Sequence, residues 1–435
     1  MRTLADWLTL QESVHPQTID MGLARVAQVA RTLGVSEARS AVITVGGTNG
    51  KGSIAAHLEA LLAARGARVG LFTSPHLVRY NERIRIEGRE ADDAALIAAF
   101  EHIEAARGAT TLTFFEYNTL AALWLFAARN VDVAVLEVGL GGRLDAVNLL
   151  DADVAVLASV GFDHRDWLGD TLELIGAEKA GILRAQRPAV LGTPDMPASV
   201  YAAIAARGAQ PVVAEEDFRW RIGEEAWDYE GLSLVLSRLP PPALAGAIQY
   251  RNAATALAAI EALQLSAHRS AGAARALAAL ASADAARTAQ ALRSVRLPGR
   301  FQVVPGSVEW ILDIAHNPPA ARVLAAQLAA RPLPGPQGRT LAVIGVLSDK
   351  DAAGIGSELG GVIDHWIACA LPGARGGSAA ELAARLALSH THIELAQSVE
   401  SGCERARAEA RPGDRVVVCG SLHTVGPALE WLRIY

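Results

Sequence analysis

Lysine is nearly missing from this chain: three residues of 435, at positions 51, 179 and 350, against 37 arginines. Arginine has replaced lysine wherever a solvated positive charge is enough. The three survivors are therefore candidate places where a compact ammonium is needed and a planar guanidinium would fail. Cysteine is as scarce. Cys369, Cys403 and Cys419 make neither a disulfide framework nor a metal-ligand spacing, which fits a reducing cytoplasm. No stretch reaches the ~18 apolar residues of a membrane span; residues 119–128 come nearest and read as a buried helix. The first ten residues carry Asp6 and no apolar core, unlike a secretory signal. A basic surface is lacking too. The net charge of −6 and a pI near 6.0 exclude broad binding of nucleic acid or anionic membrane.

What is present is the balance of a soluble globular protein, 51% hydrophobic and 20% charged. At ~100–200 residues per domain, the length allows two or three domains. Short aliphatic runs alternate with Ala/Leu-rich helical stretches, the pattern of an α/β fold with a mostly parallel sheet. Strands are predicted at 41–45, 68–73, 131–138, 153–160 and 188–192, with a helix over 53–65. Residues 208–247 read as a meander or insertion carrying little chemistry. An alanine-rich helical segment, 270–294, leads to a boundary at Leu297-Pro298-Gly299. Beyond it a second α/β series begins, with strands at 310–314, 340–346, 365–370 and 415–419 and a loop at 331–338. The chain thus divides into 1–297, an α/β domain with a mostly parallel sheet, and 298–435, a smaller α/β domain.

Gly46-Gly47-Thr48-Asn49-Gly50-Lys51-Gly52-Ser53 follows a strand and opens a helix. Glycines let the backbone turn and aim N–H groups at an anion, and the helix N-terminus adds its dipole. Lys51 reaches toward β/γ-phosphates in this reading. The spacing is one residue shorter than G-x-x-x-x-G-K-[ST], and Gly52 intervenes before Ser53. An ordinary glycine-rich turn with an exposed lysine is the other reading. Glu137 at the end of the 131–138 strand is a candidate Mg²⁺ ligand or a plain strand-end glutamate. Asp163-His164 closes the next strand, at the carboxyl edge where α/β sheets bind ligands; His164 reads equally as structural. Lys179 ends a predicted helix. Its amine can take up CO₂ as a carbamate and become an anionic metal ligand, whereas arginine does not do so readily.

With these residues in view the chain resembles one family, the folylpolyglutamate synthases and bifunctional dihydrofolate synthases, relatives of the Mur ligases. The resemblance rests on Ile19-Asp20-Met21-Gly22-Leu23, the loop at 47–53, Thr73-Ser74-Pro75-His76-Leu77, Phe115-Glu116 and the run from Glu137 to Asp145. It continues through Asp163-His164, Glu178-Lys179-Ala180-Gly181, Leu297-Pro298-Gly299-Arg300, Asp313-Ile314-Ala315-His316-Asn317-Pro318, Asp349-Lys350-Asp351 and Cys419-Gly420-Ser421-Leu422-His423. All of them in order are far more specific than any one. Departures are small: Val147 stands where threonine is common, and Ile314 replaces a frequent small residue.

The resemblance implies a cytoplasmic, monomeric, ATP-dependent amide ligase, with 1–297 an N-terminal P-loop ATPase domain and 298–435 a smaller Rossmann-like α/β glutamate-ligase domain. A substrate carboxylate attacks the γ-phosphate to give an acyl phosphate, and the amino group of L-glutamate then displaces phosphate. The substrates implied are dihydropteroate and reduced folate. A monofunctional folylpolyglutamate synthase and a Mur-type ligase are the alternatives, the latter disfavoured because only ~45 residues precede the phosphate loop. A kinase or NTPase, or a non-catalytic nucleotide binder, is the rival from another class. Residues carried over are Thr48, Asn49, Gly50, Lys51, Gly52 and Ser53 around the triphosphate, with Asn252, Arg300 and Asp313 completing the ATP site. Ser74, Glu137 and His164 hold Mg²⁺, of which two ions are implied, and Lys179 is carbamylated. Thr113, Phe114, Phe115 and Glu116, with Leu144, Asp145 and Ala146, carry the pterin. His316 lies near the transferred phosphate. Lys350 has no assigned chemistry, an ion pair with its neighbouring aspartates being the plain option.

Overall fold

The computed structural model describes residues 2–373, 375–386 and 393–435. Two compact units result: residues 1–243 with 249–295, and residues 244–248 with 296–435.

The first unit is built on eight strands: β1 Ala41–Gly46, β2 Val69–Phe72, β3 Ile84–Ile86, β4 Arg89–Glu90, β5 Val133–Glu137, β6 Val154–Leu157, β7 Pro188–Leu191 and β8 Gln210–Val213. Their order is β4-β3-β2-β5-β1-β6-β7-β8. All pairs are parallel except the edge pairs β2–β3 and β3–β4. Period-2 alternation sends successive residues to opposite faces. Val133 and Val135 of β5 join one hydrophobic cluster, and Ala134 and Leu136 join the other. Because both faces are covered, these strands read as continuous aliphatic runs rather than alternating ones. One face packs on helices Ala24–Leu33, Asp93–Arg107 and Phe114–Ala128. The other packs on helices Lys51–Ala63 and Ile248–Leu265.

Residues 208–247 are only in part the meander or insertion expected of them, because their first strand pairs in parallel with β7. β8 completes the main sheet, while β9 Arg219–Ile222, β10 Trp227–Glu230 and β11 Val235–Leu239 form an antiparallel meander. Its alternation buries Trp227 and Tyr229 against the second cluster. The segment 270–294 is two helices, Ala271–Ala279 and Ala285–Ser294. Asp284 starts the second by accepting from the Arg287 N–H, the ordinary work of an N-cap aspartate.

The second unit holds β12 Gln302–Val304, β13 Glu309–Asp313, β14 Thr340–Ile344, β15 His365–Cys369, β16 Ile393–Ala396 and β17 Arg415–Cys419. They are ordered β12-β13-β17-β14-β15-β16. Only the β12 edge is antiparallel. Among the described residues no helix is long and apolar enough to cross a membrane.

Candidate active site

The loop after β1 does what its glycines allow. Gly50, at φ 95°, sits left-handed just before helix Lys51–Ala63, a conformation that costs glycine little. The helix N-terminus is left without a side-chain cap, so its N–H groups suit an anion. Helix 51–63 begins two residues earlier than the sequence pattern indicates, which puts Lys51 in its first turn.

The neighbouring loop braces this one. The Thr48 N–H donates to the Ser159 carbonyl at 2.7 Å and the Thr48 hydroxyl to the Gly161 carbonyl at 3.1 Å. Ser159 Oγ donates to the Asn49 carbonyl at 3.0 Å. This bracing corrects one expectation. The β1–β6 ladder stops at Gly46 and Leu157, so Asp163 and His164 lie in the following loop rather than at a strand end. The chain leaves the sheet there because its polar backbone is spent on the phosphate loop. His164 itself is left-handed, at φ 51°, immediately before the short helix Arg165–Leu168.

Lys51 and Lys179 meet. Lys51 Nζ donates to the Gly47 carbonyl at 3.0 Å and the Thr48 carbonyl at 3.2 Å, and Lys179 Nζ donates to the same Gly47 oxygen at 3.1 Å. Lys179 is 5% exposed. Burial and the charge of Lys51 lower its amine to about 7, against the pull of Asp163 and Asp145. A lysine near 7 is half neutral at neutral pH, whereas an ordinary one is almost wholly protonated.

Glu137, at the end of β5, is buried and accepts from the Ser74 N–H at 3.2 Å. A carboxylate, a serine hydroxyl and the His164 imidazole are oxygen and nitrogen donors of the kind that hold Mg²⁺ or Mn²⁺. Asp163 was not singled out from the sequence on its own account. It faces both partners, its Oδ2 3.9 Å from His164 Nε2 and its charge acting on Lys179.

The substrate candidates sit on a helix start and a loop. Thr113 and Glu116 form a reciprocal capping box, the Thr113 N–H donating to Glu116 Oε2 at 2.7 Å. Arg25 bridges Glu116 and Asp20, at 3.3 and 2.6 Å; sequence spacing gave no hint of that bridge. Phe114 lies under the Arg83 guanidinium, 5.3 Å from its ring centre. Phe115 lies so close to Gly139 that a Cβ there would fall 2.7 Å from its ring, which joins this helix start to the 139–146 loop. Asp145 clamps that loop, accepting from the N–H groups of Gly139, Leu140 and Val147 at 3.0, 2.8 and 3.0 Å. Burial still raises its carboxyl to about 6. Leu144 is half-buried and Ala146 buried.

Asn252, on helix Ile248–Leu265, donates to Gln249 at 3.0 Å, but its buried Oδ1 makes no hydrogen bond. That oxygen lies against Gly50. A buried acceptor without a donor is costly. In the second unit Asp313, at the end of β13, accepts from the Phe301 and Ala315 N–H groups, both at 2.8 Å. Burial raises its carboxyl while the adjacent Arg300 charge lowers it. His316 Nδ1 lies 3.0 Å from the Ile314 carbonyl. Lys350 precedes the N-cap of helix Ala352–Leu359, and Asp349 beside it pairs with Arg375 at 2.6 Å.

A phosphate loop feeding a parallel sheet, a strand-end carboxylate and a buried lysine of lowered pKa suit an enzyme that acts on a nucleotide, and the chain's matches narrow the class to the Mur ligases. Residues 45–214 match the Mur ligase middle domain, and residues 299–422 match the Mur ligase glutamate ligase domain. The dihydrofolate synthase/folylpolyglutamate synthase of Escherichia coli is 43% identical over 98% of this chain and 95% of its own length. The solved structure of E. coli FolC in complex with DHPP and ADP superposes with a TM-score of 0.90 at 42% identity, covering 99% of this chain and 98% of that one. The Yersinia pestis bifunctional enzyme complexed with AMPPNP and Mn ion has a TM-score of 0.86 at 42% identity, covering 100% and 99%. This chain belongs to the dihydrofolate synthase/folylpolyglutamate synthase family.

Proposed function

We infer that this chain is an ATP-dependent amide ligase that joins L-glutamate to dihydropteroate, forming dihydrofolate, and to reduced folates, forming polyglutamates. The observation that carries the reading is the pairing of Lys51 and the buried Lys179 on one carbonyl of the phosphate loop. In the first step a substrate carboxylate oxygen attacks the γ-phosphorus, and the bond to the bridging oxygen breaks to release ADP. The glutamate amine then attacks the acyl carbon, losing a proton as phosphate departs. Both steps depend on positioning and on neutralising phosphate charge rather than on protein nucleophiles.

Gly50, Gly52 and Ser53 offer backbone N–H groups to the β- and γ-phosphates, Thr48 and Asn49, whose own N–H groups go to Ser159, hold the shape of the loop around them, and Lys51 leaves the loop carbonyls to supply a point charge. Asn252, Arg300 and Asp313 are nucleotide ligands. Bound Mg²⁺, two ions in all, supplies further charge neutralisation at the phosphates; Ser74, Glu137 and His164 would hold it. The neutral Lys179 amine adds to CO₂, its nitrogen bonding carbon and releasing a proton, and the carbamate joins the metal site. Thr113, Phe114, Phe115 and Glu116 with Leu144, Asp145 and Ala146 orient the pterin, and His316 acts near the transferred phosphate.

The decisive assay supplies ATP, Mg²⁺ and L-glutamate with either dihydropteroate or tetrahydrofolate, following phosphate and product. Glutamate-dependent phosphate release with both acceptors is expected. Release with tetrahydrofolate alone assigns a monofunctional polyglutamylating enzyme, and glutamate-independent release sinks the ligase reading.

A further inference from the structure

A second cluster of metal-ligating side chains lies in the second unit, on the sheet edge opposite Asp313. His365 is the first residue of β15, Glu394 lies in β16, and Glu409 ends helix Val399–Glu409. His365 Nε2 is 3.2 Å from Glu394 Oε1 and 3.0 Å from Glu409 Oε2, and one donor atom from each residue lies within 4.8 Å of the others. Yet that Nε2 is buried and makes no hydrogen bond, so neither carboxylate stands where a ring N–H would satisfy it.

Two carboxylates side by side repel, and Glu409 stands at the negative end of its helix dipole, where an anion is disfavoured. The arginines nearby do not resolve this. Arg405 stays 3.8 Å from Glu394, and Arg339 is committed to Asp414 at 3.0 Å and to the Glu409 backbone carbonyl at 3.3 Å. The separations of His365 Nε2 from the two carboxylates, 3.2 and 3.0 Å, suit a different occupant: ligands about 2.0–2.1 Å from a tetrahedral zinc stand about 3.3 Å apart. One imidazole with two carboxylates suits Zn²⁺ better than Mg²⁺.

We propose that His365, Glu394 and Glu409 form a divalent-cation site of zinc type that ties the amino ends of β15 and β16 to the end of helix Val399–Glu409. The site is separate from the nucleotide-associated metal and stands whatever the substrate proves to be. Full-length wild type and variants are dialysed in parallel against Zn²⁺ with Mg²⁺ present, so that zinc taken up elsewhere is common to all, and bound zinc is then measured. One equivalent more is expected in the wild type than in His365→Ala, Glu394→Gln or Glu409→Gln. Zinc should raise the melting temperature of the wild type alone, and ligase turnover in Mg²⁺ should be the same in all four. Equal zinc content in wild type and variants overturns the site, leaving the three side chains as a polar cluster that holds no metal.

Discussion

A single lysine carries the sharpest chemical test. Burial and Lys51 lower the Lys179 amine to about 7, and its Nζ already donates to the phosphate loop. Lys179→Arg keeps a positive charge but offers no amine to CO₂, so turnover should fall at least ~100-fold while nucleotide still binds. Near-normal turnover would remove the carbamate from the mechanism. The same burial has a pH signature. The folded amine titrates near 7 and the unfolded one near 10.5, so between those values the unfolded chain binds more protons and stability rises with pH. In CO₂-free buffer, urea unfolding at pH 7 and pH 9 should show that rise in the wild type and a smaller one in Lys179→Met. Scarcity of lysine made this residue conspicuous in the sequence. Its partners did not follow from spacing, because Gly47 is 132 positions away in the chain.

At the scale of elements, the site depends on two segments running side by side. The Arg143 N–H donates to the Glu178 carbonyl at 3.0 Å, the Arg143 guanidinium pairs with the Glu178 carboxylate at 2.7 Å, and Asn148 donates to the Gly181 carbonyl at 3.2 Å. A Cβ at Gly181 would overlap Cα and Cβ of Arg143. Gly181→Ala must therefore part the 142–148 loop from the turn that ends helix Leu172–Lys179. We expect a loss of about 1–3 kcal/mol in stability, read by urea titration, and a larger proportional loss of turnover than of nucleotide affinity. A wild-type-like midpoint and rate would show that the two segments need not touch. Strand positions were legible in the sequence because both sheet faces are buried and the aliphatic runs are unbroken. The ends of β6 and of helix Lys51–Ala63 were not, because hydrogen bonds between loops 110 residues apart decide them.

For the whole molecule, nucleotide binding and folding are linked. A ligand that binds only the folded chain stabilises it by about 2.7 kcal/mol at a hundredfold excess over its Kd. Saturating ADP with Mg²⁺ should raise the first unfolding transition in calorimetry, and Lys51→Ala should lose most of that rise. An equal shift in the variant would place the nucleotide away from the phosphate loop. The architecture of two α/β units, the phosphate loop and the family were all readable from the chain, since each rests on local periodicity or on short contiguous motifs. Tertiary structure decided the rest. Only folding brings Lys179 under Gly47, sets Arg25 between Asp20 and Glu116, and leaves Asn252 with an unanswered oxygen beside Gly50. Those pairings join residues far apart in the chain, and no periodicity records which distant side chain a buried polar group will meet. The three lysines with which the sequence began show the division well. Their rarity is a property of the sequence, whereas the depressed pKa that makes one of them useful exists only once the chain has buried it.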